Sequence, residues 1–284
     1  MDARSDSGRV TTVELWTGDS MSYQLIHGDC LEVMPTLADK SIDSIICDLP
    51  YGTTNCSWDS VIPFEPLWAQ YKRIIKPRGA IVLFGSQPFT SALVMSNIEW
   101  FKYEWIWKKT HATGQLNLNV RPMTEHENIC VFASGKTTYN LQMTKKPKDK
   151  IRAPTRMGMS DCYGAQREYD RTVPIDMRSP TTVLQFGSVN HGERGYHPTQ
   201  KPVDLLAYLI RTYTNEGETI LDNTTGSGST IVAAIQEGRN AIGIERDADY
   251  FAIAQQRCLE ATYQPSLFAP QPTQWEPVAM FGDD

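Results

Sequence analysis

The chain has 284 residues, 40% hydrophobic and 21% charged, with 27 Lys and Arg against 33 Asp and Glu for a net charge of −6. That is the composition of a folded globular chain and excludes collagen-like, coiled-coil and wholly disordered classes. Its longest apolar runs, such as Ala80–Phe84, fall far short of the ~20 residues that span a bilayer. Residues 1–20 read as a flexible lead-in with no apolar core of the kind a secretory leader carries. Strands are expected at Tyr23–His27 and Asp43–Cys47, with a short helix at Cys30–Leu37 between them. Over Phe64–Lys76 the apolar residues Phe64, Leu67, Trp68, Tyr71, Ile74 and Ile75 recur at helical spacing, and Pro77–Arg78–Gly79 reads as the stop. A buried strand at Ala80–Phe84, a helix at Phe89–Asn97 and strands at Phe101–Trp107 and Asn128–Phe132 follow.

From Gly135 to about Thr182 the periodicity disappears. Between Lys136 and Arg171 nine basic residues stand against four acidic ones, so the charge is split between a basic segment and a strongly acidic remainder. Such a segment is either a solvated loop or a surface that follows a phosphate backbone. Regular structure returns with a helix at Val203–Tyr213, a strand at Thr219–Leu221 and a helix at Ser229–Glu237. A strand at Asn240–Ile244 and a helix at Asp247–Thr262, capped by Asp247, close the pattern. Residues 264–284 read as a flexible tail. The six cysteines form no CxxC pair and the histidines lack ligand-like spacing, so no metal and no disulfide framework is expected, and a cytoplasmic setting is.

Wholly apolar strands alternating with helices predict an α/β fold, a doubly wound, mostly parallel sheet of Rossmann-like kind with an irregular insert. Such sheets bind ligands beyond the carboxyl ends of their strands. Two loops there carry chemistry. The first is Asp222–Asn–Thr–Thr–Gly–Ser–Gly–Ser229, where Gly226 and Gly228 let the backbone approach a ligand; it matches neither the dinucleotide fingerprint nor a phosphate loop. Glu245, at the end of the next strand, is placed where an acidic side chain meets ribose hydroxyls, so a ligand with a nucleoside part is expected, and Asp222 is free to meet a cationic amine. The second loop is Asp48–Leu49–Pro50–Tyr51–Gly52: a carboxylate acceptor, a fixed backbone carbonyl and a flat ring. Alone it also reads as an ordinary turn.

Taken together and in order, these segments resemble the β-class amino-group DNA methyltransferases, which methylate adenine N6 or cytosine N4 with S-adenosylmethionine. Ile26–Cys30 resembles the opening segment of that class, Asp48–Tyr51 its catalytic motif, and Trp105–Lys108 and Glu125–Asn128 the motifs that frame the target base. His197–Pro202 resembles the segment ahead of the cofactor loop, and Asp222–Ser229 that loop. The likeness covers roughly residues 23–262, and the stretch from Asp48 through Asp59 points to phage and prophage members. It divides the chain into a catalytic half (21–134), a basic target-recognition insert (135–190) and a cofactor-binding half (191–263). Two departures stand out: Leu49 replaces the usual Pro, and Asn223–Thr224 replace the usual Pro–Phe, which removes an aromatic contact to the cofactor.

The resemblance implies a catalytic set of Asp48, Leu49, Pro50 and Tyr51. Asp48 and a carbonyl of Leu49 or Pro50 accept the two N–H bonds of the amino group, while Tyr51 stacks on a flipped-out base. It places Asp29 near the cofactor adenine, Glu245 at the ribose and Asp222 near the methionine amine, and adds Cys30 and Arg246 to the cofactor-binding set. Thr224, Gly226, Ser227, Gly228 and Ser229 form the cofactor loop. His197, Thr199 and Lys201 precede it, with Thr199 and Lys201 at the methionine end; Lys201 also reads as a surface charge. Trp58 and Asp59 either close over the base or form a core Trp and a cap. Double-stranded DNA is the expected partner, contacted by Lys108, Lys136, Lys145, Lys146, Lys148, Lys150, Arg152 and Arg156. Gln264–Phe268 resembles a sliding-clamp-binding peptide and equally reads as a linker, and a homodimer is left open. Asp rather than Ser at 48 favours N6 of adenine. Alternatives are N4-cytosine methylation, methylation of RNA or a protein amide, and a DNA-binding protein whose cofactor pocket does not turn over.

Overall fold

The computed structural model describes residues 11–17, 21–53, 59–146, 151, 174–187 and 200–263. Its main sheet has nine strands. Five belong to the doubly wound half: β2 (Met21–His27), β3 (Ile42–Cys47), β4 (Ile75–Gly85), β10 (Thr219–Asp222) and β11 (Asn240–Glu245). The others are β1 (Thr11–Thr17), β5 (Phe101–Thr113), β6 (Thr124–Phe132) and β9 (Val183–Gln185), while β7 (Thr144–Lys145) and β8 (Met177–Arg178) form a separate ribbon. The order is β1-β2-β11-β10-β3-β4-β6-β5-β9. Strands β2, β11, β10, β3 and β4 run parallel; β6 is antiparallel to both β4 and β5, and β9 lies parallel to β5.

Alternation along the central strands builds two cores. Ile46, Val82 and Phe84 face one side, where α4 (Val203–Tyr213), α5 (Ser229–Gln236) and α6 (Ala248–Tyr263) pack. Ile45, Cys47, Ile81 and Leu83 face the other, beneath α1 (Cys30–Val33), α2 (Phe64–Ile74) and α3 (Phe89–Ser96). In α2 the predicted spacing puts Leu67, Trp68, Tyr71 and Ile74 on the buried face. Full burial of a side chain such as Leu67 or Ile74 contributes about 1.5–3 kcal/mol.

Several expectations are corrected. Thr11–Thr17 is no lead-in: it pairs antiparallel with β2, from Thr11 opposite His27 to Thr17 opposite Met21. The Pro77–Gly79 stop lies inside β4, where a register shift lets Lys76–Gly79 bulge between the Ile42–Ile75 and Ser44–Ala80 rungs. A Cβ on Gly79 would lie 2.7 Å from the Asp43 carbonyl, so only glycine fits that bulge. Strands β5 and β6 run well past the expected Trp107 and Asn128 ends and form a long hairpin. Within the insert expected to be irregular, β9 joins the sheet edge beside β5.

The strand order reverses between β3 and β10, whose residues Ile45 and Leu221 are paired. This is the switch point where doubly wound sheets open a crevice. The loops after Cys47 and Asp222 both emerge there.

Candidate active site

The crevice encloses about 1220 Å³ of space, counting its open mouth. Around it lie Asp29 and Cys30 from the β2–α1 turn, Asp48–Tyr51 after β3, Lys201 ahead of α4, and Asp222, Thr224, Gly226, Ser227 and Ser229 after β10, with Glu245 and Arg246 after β11. Gly228 shapes the wall from behind: it caps α5 at φ 82°, and a Cβ there would lie 3.0 Å from that of Ala254. His197, Thr199, Trp58, Lys148, Lys150, Arg152, Arg156 and the 264–268 peptide lie outside the described residues.

The two loops touch. The Thr224 hydroxyl donates to the Asp48 backbone carbonyl at 2.9 Å, which ties the glycine loop to the acidic one. That bond takes the Asp48 carbonyl and leaves those of Leu49 and Pro50 for a ligand. Asn223, where the class usually has Pro, turns inward; its amide oxygen accepts from the Tyr71 hydroxyl at 2.5 Å and the Cys47 thiol at 3.1 Å. Downstream of Tyr51, the Asp59 carboxylate accepts from the Gly52 and Thr53 N–H groups at 2.8 and 2.9 Å and fixes the exit of the loop. Asp59 thus ties down this loop.

A buried ionic network surrounds Asp48. One carboxylate oxygen accepts from the Tyr51 hydroxyl at 2.6 Å, the other from the Lys201 ammonium. Lys201 also pairs with Glu127 at 3.2 Å, and Glu127 with Lys109 at 2.6 Å. Lys201 is only 7% exposed, which overturns its reading as a surface charge. Burial pushes the Asp48 carboxyl above the ordinary range, an effect that Lys201 offsets only in part. Glu127 is pushed up by burial too, but Lys201 and Lys109 outweigh this and hold it below. Burial disfavours the charge on Lys201, yet Asp48 and Glu127 outweigh it, so Lys201 keeps its proton. The Tyr51 ring stacks on Phe89 with centroids 5.0 Å apart. Burial lifts the Cys47 thiol well above its usual range, so it offers no thiolate nucleophile.

On the cofactor side, burial raises Asp222 to about 7, against hydrogen bonds from Thr230 and the Thr224 N–H. Glu245 accepts from the Gly226 N–H at 2.8 Å and the Asp247 N–H at 2.8 Å. Asp29 caps α1 through the Leu31 N–H at 2.8 Å. The residues present fit a nucleoside-containing cation such as S-adenosylmethionine. Three buried polar atoms of the lining, Thr225 Oγ1, Gln200 Nε2 and Asn223 Nδ2, have no hydrogen-bond partner among the described residues. Beside them stand the carboxylates of Asp222 and Glu245 and a turn with positive φ at Gly226 and Gly228.

The described cationic residues among those expected to meet DNA lie outside this crevice. Lys108 is exposed, in mid-strand rather than at a strand end, and Lys136 and Lys145 are exposed. Lys146 donates to the Ile175 carbonyl at 2.9 Å. Sequence reasoning missed Lys109 because it ended β5 at Trp107. Carried on to Thr113, the strand's alternation puts Lys109 on the side of Trp105 and Trp107, facing Glu127.

A family model for N6/N4 DNA methylases matches residues 42–256. The chain belongs to this DNA methylase family, whose members transfer a methyl group from S-adenosylmethionine to an amino nitrogen of a DNA base. Among curated relatives, the type II methyltransferase M.HpaI of Haemophilus parainfluenzae is 29% identical over 254 residues, which are 84% of this chain and 74% of that one. M.HinfI of Haemophilus influenzae is 27% identical over 271 residues, 85% and 70% of the two chains. Among solved structures, an M1.HpyAVI–SAM complex superposes with a TM-score of 0.55 at 24% identity, covering 83% of this chain and 98% of that one. The cytosine-N4-specific PvuII DNA methyltransferase superposes with a TM-score of 0.58 at 15% identity, over 87% and 93%. At these identities the structural likeness shows the shared fold.

Proposed function

We propose that this enzyme methylates N6 of adenine in a base swung out of double-stranded DNA, with Asp48 as the acceptor that activates the amino group. S-adenosylmethionine supplies a methyl group made electrophilic by its sulfonium. An exocyclic amino nitrogen is a poor nucleophile because its lone pair is delocalised into the ring. Asp48 and the carbonyl of Leu49 or Pro50 accept its two N–H bonds and stabilise the positive charge that develops on nitrogen. The observation that carries this reading is the Thr224–Asp48 bond, which holds acceptor loop and cofactor loop at one crevice.

Lys201 keeps Asp48 ionised in a setting where burial alone favours the neutral acid. Because burial still raises Asp48, its carboxylate is a better base for the proton that the methylated nitrogen must lose. Tyr51 hydrogen-bonds Asp48 and lends its ring to the base, offsetting part of the few kcal/mol that flipping costs. The carboxylate at 48, in place of a serine hydroxyl, supports adenine over cytosine. Asp222 and Glu245 serve the methionine amine and the ribose, and the basic residues of the insert with Lys108 serve the phosphates. The test is incubation of unmethylated duplex DNA with enzyme and labelled S-adenosylmethionine, followed by nucleoside mass spectrometry. N6-methyladenine is expected; N4-methylcytosine would overturn the choice of base, and no labelled nucleoside the activity itself.

A further inference from the structure

The far end of the β5–β6 hairpin gathers three exposed aliphatic side chains in five residues. Past the last rung, Thr113 opposite Thr124, the chain forms a tip in which Leu116 is 100% exposed, Val120 87% and Leu118 59%. This tip is ordered by its own backbone. A short 3-10 turn spans Gln115–Asn117, and the Asn117 carbonyl accepts from the N–H groups of Val120 and Arg121, both at 2.9 Å. Three aliphatic side chains are therefore displayed to water on a folded support, an arrangement that costs stability and calls for a partner.

The surroundings say which partner. From Trp105 to Thr124 there is no Asp or Glu, while Lys108, His111 and Arg121 are exposed. The apolar residues alternate with the amides Gln115, Asn117 and Asn119, groups that hydrogen-bond base edges and sugar–phosphate. Three aliphatic side chains are too few for the 1,200–2,000 Å² of a stable protein interface, and none is aromatic. The same two strands carry Lys109 and Glu127 into the active site. From Lys109 to Thr113, at about 3.3 Å per residue, the tip begins roughly 13 Å beyond the base-activating network. A base drawn out of a duplex leaves an unstacked gap next to the pocket that receives it, and apolar wedges fill such gaps in other DNA-bending proteins.

We propose that residues 114–123 form a wedge that enters duplex DNA beside the target base. Leu116 leads into the stack, Leu118 and Val120 back it, and the amides hold the neighbouring nucleotides. This rests on the methyltransferase reading above and extends it to how the duplex is opened.

The test uses the full-length enzyme with Leu116, Leu118 and Val120 all changed to Ala, substitutions at exposed positions. Substrates are duplexes bearing a methylated position mapped by long-read sequencing, either fully paired or with the target base mispaired and so already loosened. The paired duplex is expected to lose at least tenfold in kcat/KM. The mispaired one should stay within about threefold of wild type, with cofactor affinity unchanged. The slope of binding against salt should also hold, because no phosphate contact is removed. An unchanged rate on paired DNA, or an equal loss on both substrates, overturns the wedge while leaving the activity standing. Failure of the unaltered enzyme to methylate any DNA would sink the activity and the wedge with it.

Discussion

Replacing Lys201 with Met keeps the length of the side chain and removes the one ammonium shared by Asp48 and Glu127. At about 3 Å and an effective dielectric near 20, each charge pair is worth roughly 5 kcal/mol before desolvation is counted. Most of that is offset by the cost of burying the ammonium, and breaking a buried pair typically costs 3–5 kcal/mol. The Asp48 side chain is 26% exposed and can take up a proton, which places the loss at the lower end, about 3 kcal/mol. The catalytic consequence is of similar size but depends on pH. With Lys201 gone, burial and Glu127 push the Asp48 carboxyl further up, so less of it is ionised near neutral pH. Because only the carboxylate accepts from the amino group, the rate rises with pH as Asp48 ionises, and the substitution moves that rise to higher pH. Single-turnover methyl transfer measured between pH 6 and 9 should show a loss of about a hundredfold at pH 7, corresponding to roughly 3 kcal/mol, that narrows as pH increases. A uniform loss at every pH, or a profile superimposable on that of the unaltered enzyme, would refute the role given to Lys201.

Further outcomes follow from the same geometry. Tyr51→Phe removes a hydrogen bond to a carboxylate and should cost about tenfold in kcat, whereas Tyr51→Ala also loses the ring and should cost a hundredfold or more, read by single-turnover transfer. Asp222 has a carboxyl raised from 3.8 to about 7, so its contribution to stability is present at low pH and is lost as pH rises towards 7. Asp222→Asn should therefore flatten the fall in thermal stability of the free protein across that window. Cofactor binding to the unaltered protein near pH 6.5 should release a proton, seen by calorimetry in buffers of different ionisation heat. Gly228→Ala forces a side chain into positive φ against Ala254 and should lower urea-unfolding stability by about 2 kcal/mol.

Elements whose burial follows a simple period were legible. The faces of α2 and α4 and the strands either side of the switch point could be read because Leu67, Tyr71, Ile74, Leu206 and Ile210 are buried at helical spacing. Edge structure was not legible. Thr11–Thr17 owes its conformation to a partner strand, and the polar run Lys108–Thr113 continues β5 only because β6 returns beside it. The site divided along the same line. Asp48, Tyr51, Asp222 and Glu245 announce themselves by lying at strand ends. Lys201, Glu127 and Lys109 are distant in sequence and become a network only when three elements converge; Lys109 separates from its exposed neighbour Lys108 only once β5 is carried past Trp107.

The most direct test of the account is Asp48→Ala, assayed in parallel for cofactor binding and for methyl transfer to duplex DNA. Cofactor affinity within about threefold of wild type, with transfer lost, is the predicted result. Transfer at the wild-type rate, or cofactor binding abolished together with transfer, would contradict the claim that Asp48 acts on the base from a crevice it shares with the glycine loop.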